Sequence, residues 1–179
     1  AIPGIDIAIF DDENQPVENG LVGEVCMRGP NMMKGYRNLP EQTSKAIVDG
    51  WLHTGDGGYL DDEGFLFIVD RVKDMIISGG VNIYPVEIEQ VIGEHPAVSD
   101  VGVFGIPNEE WGESVKAAIE LRDGFEASDA LASEILAFSR KHLAGYKIPR
   151  SIDFEASLPR HPSGKLYIRR IRDRYWAGR

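Results

Sequence analysis

The chain has 179 residues, 42% of them apolar and 27% charged, the balance of a folded globular protein rather than a disordered tail. Its net charge of -10 argues against wrapping nucleic acid, no apolar run is long enough to span a bilayer, and a single cysteine excludes an intrachain disulfide. These features fit a reducing, cytoplasmic setting. The start, Ala1-Ile2-Pro3-Gly4, lacks an initiating Met and any signal core, so it reads as the middle of a longer polypeptide.

The first stretch reads as β-structure. Ile5, Ile7 and Ile9 alternate with Asp6, Ala8 and Phe10, and acidic turn residues follow at Asp11 to Asn14. Leu21 to Arg28 predicts a second strand closed by Gly29-Pro30, and Asp49-Gly50 marks a turn before Trp51-Leu52. Tyr59-Leu60 and Phe65 to Val69, joined by Asp61-Asp62-Glu63-Gly64, predict a hairpin. After Asp70 the texture turns to α+β. Met75 to Ser78 is a short strand broken by Gly79-Gly80. Pro85 opens a helix with Ile88, Val91 and Ile92 on one face. Val98 to Phe104 and Ser114 to Leu121 are strands flanking Gly105-Ile106-Pro107-Asn108. Ser128 caps a helix over Asp129 to His142, Ser151 to Phe154 is a last strand, and Leu166 to Trp176 a basic terminal helix. The expected boundary gives a β-rich part at 1–69 and an α+β part with a central sheet and flanking helices at 70–179.

Three segments bear chemistry. Thr54-Gly55-Asp56-Gly57 sets a carboxylate between glycines before a strand, a turn aspartate or a clamp for a ribose diol. Asp70-Arg71-Val72-Lys73-Asp74 is an exposed connector, or a joint whose Arg71 and Lys73 meet phosphate or ribose. Pro162-Ser163-Gly164-Lys165 ends a flexible turn in an ammonium able to neutralise developing phosphate charge. Acid dominates up to Asp70, whereas Arg160, Lys165, Arg169, Arg170, Arg172 and Arg174 gather late; this basic end suits an anionic small ligand or a solvated helix face. Neither a Gly-x-x-x-x-Gly-Lys-Ser/Thr run nor a Gly-x-Gly-x-x-Gly occurs. His53, His95, His142 and His161 lack metal-ligand spacing, Cys26 reads as packing, and Trp111 and Trp176 as core or interface anchors.

In order and spacing these segments resemble the adenylate-forming superfamily, and within it the AMP-forming acyl-CoA synthetases. Gly35-Tyr36 and Gly50-Trp51-Leu52-His53-Thr54-Gly55-Asp56 resemble its aspartate motif, and Asp70-Arg71-Val72-Lys73-Asp74-Met75-Ile76 its hinge motif. Ser78-Gly79-Gly80-Val81-Asn82-Ile83-Tyr84-Pro85-Val86-Glu87, Gly105-Ile106-Pro107 through Glu113, Tyr146-Lys147-Ile148-Pro149-Arg150 and Leu158-Pro159 to Lys165 complete the series over essentially the whole chain.

The resemblance implies that residues 1–69 end a large adenylating domain and 70–179 form its C-terminal lid. An acid and ATP give an acyl-adenylate, the lid rotates, and coenzyme A displaces AMP. By resemblance Asp56 holds the ribose of ATP or AMP, Arg71 and Lys73 add nucleotide contacts, Asp70 is the hinge and Lys165 the catalytic cation. Ser78, Gly79 and Gly80 pass beside the pantetheine arm of coenzyme A, with Glu87 either a helper or a carboxylate suited to its helix dipole. The basic residues after Lys165 are candidates for coenzyme A phosphates. The family's phosphate loop and acyl pocket lie upstream of Ala1 and its Mg2+ ligands outside this chain, so no metal site is expected in this chain. Its partners are then the missing N-terminal domain, a carboxylic acid, ATP and coenzyme A, and the fragment alone is expected to be inactive. A peptide-synthetase adenylation domain, a luciferase-like enzyme and a non-catalytic binding module remain the alternatives.

Overall fold

The structure, a computed structural model, describes residues 3–177; the opening Ala1-Ile2 and the closing Gly178-Arg179 lie outside the described residues. The chain folds as two compact units, one ending at Lys73 and one beginning at Asp74. No described helix is long and apolar enough to cross a membrane.

The first unit is an antiparallel sheet. Strands β1 (Asp6–Phe10), β2 (Gly23–Arg28), β3 (Ile47–Val48), β4 (Trp51–Leu60) and β5 (Leu66–Arg71) run in the order β1-β2-β4-β3, with β5 also on β4. Ile9, Phe10, Val25 and Cys26 are its buried apolar residues. Asp49-Gly50, with φ of 50° and 81°, makes the two-residue turn between β3 and β4, where left-handed backbone matches the strand twist. Helix α1 (Pro40–Ala46) was not anticipated. Pro40 starts it, but no residue in it is buried, so it lacks the apolar stripe by which helices are read.

The second unit is a mixed sheet with helices on both faces, the α+β architecture expected. It contains β6 (Ile76–Ser78), β7 (Val81–Ile83), α2 (Pro85–Gly93), β8 (Val98–Asn108), β9 (Gly112–Leu121), α3 (Asp129–Ser139), β10 (Ser151–Glu155) and α4 (Arg169–Trp176). Strand β9 is central. It pairs antiparallel with β8 and β6 and parallel with β10. Its run from Val115 to Ile119 is buried without alternation because both faces are covered. Val115, Ala117 and Ile119 meet Ile88 and Ile92 of α2 and Leu131 and Ile135 of α3. Ala118 and Phe104 meet Ile171 of α4 and Leu158 on the opposite face.

Three expectations are corrected. Gly105-Ile106-Pro107-Asn108 continues β8, with Pro107 opposite Glu113, and the turn comes later at Glu109 to Trp111. Helix α3 stops at Ser139 rather than His142; its cap is as expected, the Ser128 hydroxyl accepting from the Leu131 amide. Trp111 and Trp176 are 41% and 38% exposed, so neither is a core anchor, although the Trp176 indole donates to the Gly105 carbonyl.

Candidate functional site

Within the first unit, the aspartate segment is not a turn before a strand but a bulge inside one. Between the pairs Cys26↔His53 and Glu24↔Gly57, a single residue of β2 opposes three of β4, Thr54 to Asp56. Gly55 takes a φ of +73°, which a side chain would strain. Glu24 fills the bulge: one carboxylate oxygen accepts from the Gly55 amide at 2.8 Å and the other from His53 Nδ1 at 2.7 Å. The Thr54 hydroxyl donates to the Val25 carbonyl and accepts from the Asp56 amide. Asp56 is thereby turned outward, where the Arg71 guanidinium donates to its Oδ1 at 2.8 Å and to the Thr54 carbonyl at 3.2 Å. The pair is half exposed, so a hydroxylated ligand can compete for the carboxylate.

Asp70 and Arg71 belong to the β5 ladder rather than to a loose connector; Asp70 pairs with Gly57 beside a register shift. Asp70 Oδ1 accepts from the Arg71 amide, and a single 3-10 turn, Val72–Asp74, follows with Lys73 exposed.

Sequence spacing missed one cluster. Glu24, Cys26 and His53 converge, with donor atoms all within 4.8 Å of one another, because β2 alternation and the β2–β4 register put them on one face. Histidine Nδ1 lies 3.5 Å from the Cys26 sulfur. Burial, with the Glu24 charge adding to it, pushes the Cys26 thiol up to about 12, so it stays protonated. Glu24 already uses both oxygens on protein donors. The cluster is a clip for the bulge, built from residues 29 positions apart.

In the second unit, Gly79 and Gly80, with φ of +59° and +79°, form the turn between β6 and β7. The Gly79 amide donates to the Trp111 carbonyl at 2.8 Å, and a Cβ on Gly79 would lie 2.5 Å from the Trp111 ring. Ser78 and Gly79 edge an open groove of about 540 Å³ that Trp111, Arg140, Tyr146 and Arg150 also line. Glu87, in the first turn of α2, is held by the Lys147 ammonium, 2.6 and 2.7 Å from its two oxygens.

Lys165 is exposed at the end of a tight turn. The Gly164 amide donates to the His161 carbonyl and the His161 amide to the Lys165 carbonyl, both at 2.8 Å. Of the late basic residues, Arg160, Arg169 and Arg174 are ion-paired with Asp100, Asp173 and Glu155, which reduces the basic field expected from their number.

The structure therefore brings Asp56 and Arg71 together in one unit. In the other it holds Lys165 on a turn and Ser78-Gly79 at a groove. Comparison with known proteins says what family uses such parts. The AMP-binding enzyme family matches residues 1–37, and the AMP-binding enzyme C-terminal domain matches residues 87–165. A fatty acid–[acyl-carrier-protein] ligase, ScoC of Streptomyces coeruleorubidus, is 43% identical over 97% of this chain and 33% of its own. The medium/long-chain-fatty-acid–CoA ligase FadD8 of Mycobacterium tuberculosis is 44% identical over 96% of this chain and 31% of its own. Among solved structures, the o-succinylbenzoate CoA synthetase MenE of Bacillus subtilis, in complex with its acyl-adenylate intermediate, superposes with a TM-score of 0.83. That likeness is 40% identical and covers 99% of this chain and 34% of MenE.

The chain belongs to the AMP-binding enzyme family. It spans about a third of the length of the curated relatives it matches.

Proposed function

We propose that this chain is the C-terminal portion of an AMP-forming ligase that activates a carboxylic acid with ATP and passes the acyl group to a thiol, coenzyme A. Residues 1–69 close the large adenylating domain and 70–179 form the mobile lid. The observation that carries the reading is Lys165, an exposed ammonium at the end of a turn tied by its own backbone.

In the first half-reaction the carboxylate attacks the α-phosphorus of ATP and pyrophosphate leaves. Negative charge is then shared between the attacking oxygen and the phosphoryl oxygens, and Lys165 neutralises it there more than in the separated substrates. Asp56 accepts hydrogen bonds from the ribose hydroxyls; Arg71, already bonded to Asp56, fixes its rotamer, and Lys73 adds cationic charge nearby. Asp70, beside the register shift near the end of β5, and the 3-10 turn after it take the dihedral change that turns the lid, and the Asp70–Gly57 pairing opens as they do. In the second half-reaction Ser78, Gly79 and Gly80 border the pantetheine arm, and the groove beside Gly79, with its Trp111 and Tyr146 rings, accommodates the rest of coenzyme A. Glu87 serves by fixing Lys147 rather than by moving a proton. Mg2+ is expected on ligands outside residues 1–179. The likeness to ScoC supports a second acceptor, a carrier-protein thiol; comparing the two acceptors at equal concentration separates them.

The test is Lys165→Ala in the complete enzyme. Adenylate formation is expected to fall by the equivalent of about 3–4 kcal/mol, as when one transition-state donor is deleted. Thioester formation from a supplied acyl-adenylate is expected to remain. Equal loss in both half-reactions contradicts the role given to Lys165.

A further inference from the structure

A flexible lysine is a poor catalyst unless its backbone is held, because four rotatable bonds leave the ammonium spread over many positions. The turn carrying Lys165 contains Gly164 at φ +84° and only two short backbone bonds of its own. Its bracing comes from outside the turn. The Arg160 guanidinium donates through one nitrogen to the Gly164 carbonyl at 2.7 Å and through another to the Asp100 carboxylate on β8. Arg160 also bridges Leu166 across the turn, and the Tyr167 amide donates to the Pro159 carbonyl at 2.7 Å. Below the turn, Leu166 and Ile168 sit against Gly102, where an added Cβ would lie 2.3 Å from Ile168. Asp100 and Gly102 face the same way on β8, so one stretch of that strand supplies both the ionic and the apolar anchor.

We propose that Arg160, oriented by Asp100, is a positioning residue: its planar fork ties the peptide immediately before Lys165 to the lid's central sheet and so sets where the ammonium arrives. This rests on the role of Lys165 proposed above. Lysine in place of Arg160 cannot span both partners, since only the guanidinium offers two donors in a fixed plane. Both terminal nitrogens of Arg160 are taken, one by Gly164 and one by Asp100.

The experiment uses the complete enzyme, four single variants, Arg160→Ala, Arg160→Lys, Asp100→Asn and Lys165→Ala, and one double variant. Single-turnover adenylate formation, thioester formation from a supplied acyl-adenylate, and thermal midpoint are measured for each. Arg160→Ala is expected to slow adenylation roughly 100-fold, the loss typical of about 1 Å of misplacement, through kcat rather than the KM for ATP. Thioester formation should stay within about twofold, because that step does not use Lys165. Arg160→Lys is expected to fall between Arg160→Ala and the parent. Asp100→Asn, which keeps the Gly164 contact but loosens the fork, should show a smaller loss of the same pattern, and it decides the matter if Arg160→Ala does not fold. A double variant, Arg160→Ala with Lys165→Ala, should be no slower than Lys165→Ala, since a group with nothing to position has nothing left to lose. Parent-like adenylation in Arg160→Ala, or parallel loss of both half-reactions, overturns the proposal while leaving the role of Lys165 standing if Lys165→Ala is inactive. Full adenylation by Lys165→Ala overturns both.

Discussion

At the scale of single residues, burial decides which groups are chemically available. Cys26 is fully buried beside Glu24 and His53, and its thiol is pushed up to about 12. Folded chain is therefore expected to react with an aromatic disulfide reagent at pH 8.5 only as fast as it unfolds; rapid reaction without denaturant would contradict this. The sign of the linkage follows. The unfolded chain releases this proton in the ordinary thiol range and the folded chain keeps it, so the contribution to stability is present below that range and is lost as pH rises toward 12. Asp153 shows the opposite sign. Burial alone raises its carboxyl, but hydrogen bonds from Lys116 and Tyr175, and the charges of Lys116 and Arg174, outweigh burial and hold it below the usual range. Its contribution is present above the ordinary carboxylate range and lost as pH falls through the lowered value. Lys116, nearly buried on the central strand, depends on that charge at 2.7 Å. Asp153→Asn is expected to cost about 2 kcal/mol in chemical denaturation, discounted from buried-pair values because Asp153 is about one-third open.

At the scale of elements, the short β6–β7 hairpin shows how much local sequence carries. Two consecutive glycines after the short strand Met75 to Ser78 predict a break, and the structure uses both at positive φ. The 2.5 Å gap that any Gly79 side chain would leave to Trp111 comes from a residue 32 positions later, and no local pattern announces it. Gly79→Ala in the complete enzyme is expected to slow thioester formation more than adenylate formation, with about 1–2 kcal/mol of lost stability from the left-handed backbone. Unchanged thioester kinetics would show that the hairpin does not border the thiol's path. The bulge in β4 gives a similar lesson. Thr54-Gly55-Asp56-Gly57 was legible as a special segment, yet its placement inside a strand was not, because a bulge is defined by the partner strand's register. The same holds for Gly105 to Asn108: a Gly and a Pro together read as a break, but Pro107 still fits the ladder opposite Glu113.

At the scale of the whole molecule, the strands of the described residues form two sheets, each with its own buried residues. Neither contains the phosphate-binding glycine loop of a nucleotide enzyme. Residues 1–179 alone, given ATP, coenzyme A and carboxylic acids, are expected to release no pyrophosphate; sustained release by the purified chain would contradict the assignment of the phosphate and acyl sites to the remainder of the enzyme.

By itself the sequence determined the α+β class, most strand and helix positions and the segments bearing Asp56, Arg71, Gly79 and Lys165, because periodicity, turn glycines and motif order are local properties. Only the tertiary structure decided that Glu24 clamps the Asp56 bulge through His53, that Glu87 is held by Lys147, and that Arg160 and Asp100 brace the lysine turn. Each of those rests on a contact between residues 29 or 60 positions apart in the chain. Their meeting depends on strand register and on how helices lie across a sheet, which the free energy of burying a whole core sets and no short stretch of residues can specify.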